Sequence, residues 1–594
     1  MAWSLPRLSR RAFLKSTGYG TAGFGLLSPL STLVSQALAS DDEVKEEVSY
    51  SICNFCSSLC NLRVTTHTKG GDKRIVKLDG NPNSTLNRGK ICARGQAGLR
   101  QTYDTDRIKT PLIRIEGSQR GEYKFRQASW EEAWDYIAKK QAAAQIKPWE
   151  WTMVGGWTSC VFYMNWAVPF AMANEVPNIV ASPMQHCVTT GHLGTDLVTG
   201  NFNIHDEVLP DFDHAKYILL VGNNASIGAV STCRMVRFAQ GRKNGAKIVA
   251  LDPRCSETAA KADEWIQIRP GTDLAFMLAL MRILMQEELY DAEFLRRHTN
   301  LPFLMTQDDK GEWQLVTDTE GRPLAVEEDT GNLRTLKKFS NQNHKDNEGR
   351  AFTPGLQVPP DFSVEGRPVK TVFQVQLEEL APYTAEWAAE ITGIAAETIS
   401  RIAHEFGNTR PAIVDPGWHG ARFGNIMMLR RVQAMVQALI GGIDSVGGWM
   451  NSGELHHKAH QMYQAMEEGY EMGAPLANLA GMAFAKMVIG AVSQGDNFSH
   501  GKPGFAWAWN AQEKAAGRFN VALPVMTDSG LRESVESKLQ FKGEPYLTRA
   551  FIINAANPVR HYYPDSYWKE TLSHPNVALV VMVEVLPSDT APYA

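Results

Sequence analysis

Apolar residues recur along this chain with two different periods. Unbroken apolar runs that end in turn-forming residues, Tyr217 to Val221 before Gly-Asn-Asn and Ile248 to Leu251 before Asp252, predict strands buried in a parallel sheet. "FIINAANPVRHYYPD", Phe551 to Asp565, predicts another strand entering an Asn-Pro turn, and "VALVVMVEV" supplies one more after it. Spacing of three and four residues links Met428, Val432, Met435, Val436 and Leu439 on one helix, which Gly441 and Gly442 stop. "ASWEEAWDYIAKK" predicts a second helix opened by a capping box, Ser129 to Glu132. Strands and helices mixed over 594 residues are more than one hydrophobic core serves, so the expected fold is a multidomain α/β protein.

The first forty residues bear on where the chain works. "SRRAFLK", Ser9 to Lys15, precedes a mildly apolar run from Gly18 to Leu38 and the small-residue pair Ala37 and Ala39. That order predicts a twin-arginine export signal over residues 1–39 and a periplasmic mature chain; an ordinary secretory signal or an uncleaved anchor is the alternative. Export in the folded state suits a chain that acquires a cofactor in the cytoplasm. The formal net charge of −4 becomes more negative once the basic residues Arg7, Arg10, Arg11 and Lys15 leave with the signal. With no basic stripe, no nucleic-acid partner is expected. Past the signal no uncharged apolar run reaches 18 residues, so any membrane attachment is expected through another subunit.

Cys53, Cys56 and Cys60 fall within eight residues in "SICNFCSSLCNLRV", and Cys92 follows in "GKICARG". Eight cysteines in an exported chain raise the alternative of disulfides. The C-x2-C-x3-C run instead presents three sulfurs from one compact loop, which suits a metal cluster, and a fourth thiolate at Cys92 would complete one [4Fe-4S] cluster. Zinc is the other metal alternative, although structural zinc more often uses two C-x2-C pairs. Cys160, Cys233 and Cys255 lack cluster spacing and read as buried or incidental.

The stretch from Ser51 to Gly98, with "CNFCSSLCNLRV" and "NRGKICARGQAG", resembles the iron-sulfur domain that opens the large molybdopterin-guanine-dinucleotide oxidoreductases, the dimethyl sulfoxide reductase family. The resemblance implies a [4Fe-4S] domain over residues 48–108, with Arg94 between cluster and pterin on the electron path. "VGNNAS" followed by "LDPRCSETAAKADEWIQIRPGTDLAFMLAL" is similar to the family's dinucleotide-binding stretch. It implies that Gly222, Asn223, Asp252, Arg254, Thr258, Gly271, Thr272 and Asp273 contact one guanine dinucleotide, Asp273 at the guanine edge. Asn557 is implied to hold the second. Most members add one protein ligand to the metal, about 35 residues before the Gly-Asn strand end. That position here is Cys187, a soft thiolate suited to molybdenum or tungsten. His186 and His192 flank it, either as proton donors in the cavity or as structural histidines. "PGWHGARFGNIMM" resembles a returning loop that faces the active site, where His419 stands with Arg422, whose positive charge would attract an oxyanion or sulfur anion.

The resemblance implies that residues 109–183 and 372–594 form one discontinuous α/β domain on the side of the second dinucleotide. Residues 184–371 would be inserted into it as a doubly wound dinucleotide-binding domain. A further C-terminal domain covers both pterins in the family; this chain ends at "VLPSDTAPYA" without it, and is expected to be a fragment whose cofactor pocket is open on one side. Residues 454–520 fit no motif. The implied cofactors are one [4Fe-4S] cluster, two molybdopterin guanine dinucleotides, and molybdenum or tungsten. The implied partners are a ferredoxin-like iron-sulfur subunit with several clusters and a quinone-reactive membrane subunit, with a cytochrome c as a further candidate. "CARG", "RRHTNLPFLM" and "PYTAEWAAEITGI" look most like the polysulfide and thiosulfate reductase branch, so reduction of a sulfur-sulfur bond is the expected reaction. Tetrathionate or arsenate reduction, formate oxidation and a non-catalytic electron-conducting scaffold stand as alternatives.

Overall fold

The computed structural model of the protein describes residues 44–56, 59–155, 170, 173–181, 193–199, 209–225, 232–336, 344–415, 425–450, 499–516, 528–561 and 565–594. β1 (Lys45–Ile52), β2 (Asn61–Lys69) and β3 (Asp72–Gly80) form an antiparallel meander in which Ile52 faces Asn61 and Leu62 faces Gly80. Leu62 and Val64 point inward from the central strand and pack with Phe55, Leu78 and Ile91 around Cys53 and Cys60. α1 (Ala93–Thr102) lies against this cluster, and Gly95 permits the approach. A Cβ there would sit 2.5 Å from the Ile91 side chain and 3.5 Å from Cys53 Sγ.

The helix expected after Ser129 is α2 (Trp130–Ala144). Ser129 Oγ accepts from the Glu132 amide at 3.1 Å, and the Glu132 carboxylate, which takes a 2.6 Å hydrogen bond from Arg126 Nη2, also interacts with the Ser129 backbone amide as in a capping box.

β4 (Trp151–Gly155) and β5 (Asn178–Ala181) then begin a parallel sheet that the chain leaves and later completes. After α3 (Leu193–Thr199), a second parallel sheet is built from β6 (Tyr217–Val221), α4 (Thr232–Lys243), β7 (Lys247–Leu251), β8 (Glu264–Ile266), α5 (Asp273–Gln286) and β9 (Ala412–Asp415). Its spatial order is β8-β7-β6-β9. α6 (Ile426–Leu439) follows and packs on α3 and α5. β10 (Ala550–Asn554) and β11 (Leu579–Val583) return to the first sheet, in the order β11-β10-β4-β5. β6, β9 and β10 are buried along their whole length, as strands of a parallel sheet covered on both faces should be.

Two expectations need correction. The domain boundary at residue 371 is displaced, because β9 pairs with β6, Ala412 opposite Tyr217 and Asp415 opposite Leu220, and Phe373, Ile402, Val436 and Trp449 share that sheet's core. An apolar strand needs cover on both faces, and β9 finds it there. On α6, Val432, Val436 and Leu439 are buried as expected, but Met428 is 41% exposed while Gln433 and Gln437 are fully buried. Gln437 explains part of this: its Oε1 accepts from Val414 N at 3.0 Å and its Nε2 donates to Ala412 O at 3.0 Å. The side chain stands in for a neighbouring strand on the outer edge of β9. Among the described residues no helix is long and apolar enough to cross a membrane.

Candidate cofactor site

The four cysteines of the cluster motif meet where the meander joins α1. Cys53, Cys56 and Cys60 are buried and Cys92 is partly buried. The loop is closed by a 2.8 Å bond from Cys53 N to Cys60 O, and Cys92 is the N-cap residue of α1. Burial pushes the Cys53 thiol up, as do the neighbouring Cys56 and Cys92, while a hydrogen bond with the Phe55 backbone and the charge of Arg94 pull it down. Arg94, the second residue of α1 and exposed, therefore stands beside the thiols.

Among the described residues no group of three or more His, Cys, Asp or Glu side chains is gathered tightly enough for a single metal ion. The donor set is four cysteines, Cys56 and Cys92 acting on the Cys53 thiol, and four thiolates are the set that holds a four-iron cluster.

The loop that delivers Cys92 is stitched to β2. Asn87 is fully buried, donates from Nδ2 to Asn61 O at 3.1 Å and Lys90 O at 2.6 Å, and accepts from Asn61 N at 3.2 Å. Cys92 is thereby placed by tertiary contact, about thirty residues from its companions.

The second region lies at the C-terminal ends of β6, β7 and β9, the edge of a parallel sheet where ligands bind. β6 gives way to Gly222, held at φ 61°, whose amide donates to Leu251 O at 2.9 Å. Asn223 is buried and its Nδ2 donates to Asp415 at the end of β9. Asp415 also accepts from Arg234 of α4, and both charged side chains are withdrawn from solvent. Thr258 Oγ1 donates to Asn224 Oδ1 at 2.6 Å, which ties the segment after β7 to the loop after β6. Asp252 follows β7 and accepts from the Arg254 amide at 3.0 Å, while the Arg254 side chain is exposed. Gly271, at φ 79°, and Thr272 turn the chain into α5, of which Asp273 is the first residue.

Hydrogen bonds thus join the loops that follow β6 and β7 and the end of β9, with Gly222, Asn223 and Thr258 among them, while Gly271, Thr272 and Asp273 follow β8 and open α5. Their chemistry fits a dinucleotide: loop amides and the start of α5 for phosphates, Asp252 for ribose hydroxyls, Asp273 for a guanine edge, and Arg254 as an exposed cation. Asn557 follows β10 and is engaged with the C-terminal segment, donating to Asp589 Oδ2 at 2.8 Å and accepting from Thr590 Oγ1 at 2.7 Å. Cys187, His186, His192, His419 and Arg422 lie outside the described residues, as do Cys160, the export signal and most of residues 454–520.

Sequence reasoning passed over Asp415 and Arg234. Asp415 ends a buried strand, and the rule that marked Asp252, applied to "AIVDPG", would have found it. No local signal marks Arg234.

The described chain thus joins a small β unit bearing four cysteines to two parallel α/β sheets. The sequence profile of the molybdopterin oxidoreductases matches residues 107–538, and that of their Fe4S4 domain matches residues 46–104. The chain belongs to the molybdopterin oxidoreductase family. It is 32% identical over 376 residues to a sulfite dehydrogenase chain of Allochromatium vinosum, covering 61% of this chain and 36% of that one. It is 30% identical over 465 residues to the dimethyl sulfoxide reductase DmsA of Haemophilus influenzae, covering 74% and 50%. The thiosulfate reductase molybdopterin-containing subunit PhsA of Salmonella typhimurium is 25% identical over 601 residues, covering 99% and 62%. The chain therefore spans between 36% and 62% of the length of these relatives. Acetylene hydratase from Pelobacter acetylenicus shares the fold, with a TM-score of 0.57 and 18% identity over 92% of this chain and 62% of that one.

Proposed function

We propose that the chain is the catalytic part of an exported molybdenum- or tungsten-dependent oxidoreductase that reduces a sulfur compound, with thiosulfate and polysulfide the first candidates. The observation that carries this reading is that one chain joins a three-thiol loop and Cys92 to a parallel α/β sheet whose strand ends are of the kind that bind nucleotides. When bound, the pterin-held metal supplies two-electron chemistry, while the cluster passes electrons singly. Cys53, Cys56, Cys60 and Cys92 hold the cluster, and Arg94 sets positive charge beside it. Gly222, Asn223, Asp252 and the turn into α5 hold and orient one dinucleotide, and Asn557 stands on the side of the second. Cys187 is the protein ligand to the metal, with His186, His419 and Arg422 in the substrate cavity, where a cation would draw in an anionic sulfur substrate.

Sulfur compounds recur in the names of the similar proteins, and the thiosulfate reductase PhsA aligns over 99% of this chain, which supports a sulfur substrate. Reduction of thiosulfate takes up two electrons and two protons, breaks the sulfur-sulfur bond, and yields sulfite and hydrogen sulfide. Electrons would arrive from a quinone-reactive membrane protein by way of a multi-cluster iron-sulfur partner, with this chain periplasmic through the twin-arginine signal and held at the membrane only by its partners. Elemental analysis of the protein purified from its native host tests the reading. About one molybdenum or tungsten to about four iron is expected, with reduced viologen oxidised on addition of thiosulfate or polysulfide. Iron alone, with no pterin released on denaturation, overturns it.

A further inference from the structure

The two cofactor regions are joined by charged side chains outside both binding sets. Arg88 stands four residues before Cys92 with its backbone in the left-handed region, φ 48°. Its guanidinium donates to Asp213 Oδ2 at 2.6 Å, and Arg237 of α4 donates to the same oxygen at 3.1 Å. The Asp213 side chain is 12% exposed, and its other oxygen is buried without a partner. The carboxylate is therefore matched entirely from the Oδ2 side, and loss of either cation leaves a mostly buried charge less well compensated.

The turn that carries Asp213 is pressed onto α4. A Cβ at Gly241 would lie 2.2 Å from Phe212 O, and Phe212 meets Phe238 edge-on at 5.9 Å. Arg234 lies one turn before Arg237, on the same face of α4, and is bound to Asp415, which also holds Asn223 at the crevice. One helix thus offers a cation to each cofactor region.

We propose that Asp213 is a positioning residue for electron transfer: it clamps Arg88 to Arg237 and so fixes the cluster-bearing loop in register with α4 and the crevice that α4 borders. This rests on the reading that the four thiols hold a cluster and the crevice a pterin dinucleotide. A left-handed arginine persists where its surroundings over-determine it. Asn87, stitched to β2, holds the loop on one side, and Asp213 receives Arg88 on the other. The polar partners of the Asp213 carboxylate are Arg88 and Arg237, so its loss should alter the placement of the loop and spare cluster content.

The test uses the loaded full-length protein and the variants Asp213→Asn and Arg88→Gln. Both are expected to keep parental iron, to speed hydrogen exchange of the amides in residues 81–92 about tenfold, and to weaken the magnetic interaction between the reduced cluster and the paramagnetic metal seen by electron paramagnetic resonance. The double variant should be no worse than Asp213→Asn alone, because both changes break one interaction. Arg88 is the more exposed partner, so Arg88→Gln keeps the test decisive if Asp213→Asn folds poorly. Parental exchange and parental magnetic coupling in an iron-replete variant overturn the inference. A parental protein without iron overturns the cofactor reading instead.

Discussion

Replacing Asp415 with asparagine keeps the shape of the side chain and removes its charge, at a position where both oxygens are used. One oxygen accepts from Asn223 Nδ2 and the other from Arg234 Nη2, and neither the carboxylate nor the guanidinium is open to water. A hydrogen bond to a charged group contributes about 1.5–3 kcal/mol, so two contribute roughly 3–6 kcal/mol. The asparagine oxygen can keep one donor at a neutral strength of about 1 kcal/mol, while its amide nitrogen meets the other donor head-on. The net loss is then roughly 2–5 kcal/mol, which agrees with about 3–5 kcal/mol for breaking a buried ion pair. A multidomain chain does not unfold in one step, so the assay is local. Hydrogen exchange followed by mass spectrometry should show peptides spanning residues 217–221 and 412–415 opening at least about 30-fold faster, since about 1.4 kcal/mol is tenfold. The pair Arg234→Gln with Asp415→Asn should recover part of the loss, because no cation then faces the amide. Exchange within about threefold of the parent in Asp415→Asn would refute the claim that this carboxylate holds the ends of β6 and β9 together.

Three further outcomes follow from the packing, the thiols and the charges. Gly241→Ala should destabilise the turn at residues 211–214 by up to about 2 kcal/mol: the helix gains about 1 kcal/mol of propensity, but overpacking against a backbone oxygen costs about 1–3 kcal/mol. Slower proteolysis of that turn in the variant would contradict this. Cys60→Ser should lower bound iron from about four to at most about three per chain, measured by iron assay on the purified protein, and full retention would remove Cys60 from the ligand set. Glu536 is held down at about 2 by hydrogen bonds from Lys538 and Arg532, against an ordinary 4.5. Its folded value is depressed, so the stability it contributes is present above about pH 4.5 and is lost as the pH falls toward 2. The stability gap between the parent and Glu536→Gln should close over that window in acid-unfolding curves, and parallel curves would argue against the pairing.

Much of the site is written locally, and the reason is physical. Three thiols in one short loop can come together only through that loop's own turns, so the spacing of Cys53, Cys56 and Cys60 announces their chemistry before any fold is known. Parallel strands covered on both faces must be apolar throughout, and they end in loops where ligands bind, so Tyr217 to Val221 and Asp252 could also be read from the chain. What the tertiary structure alone decided is which distant groups meet. Asn223 and Asp415 are 192 residues apart, and Arg88 and Asp213 are 125 apart. No period or spacing links such pairs, because their distance is set by the order of strands in the sheet. The same holds for α6, where the helical period marked Met428 as a core residue. The open edge of β9 needed a donor and an acceptor, and that requirement, which exists only once β9 has a place in a sheet, buried Gln437 while Met428 faced solvent.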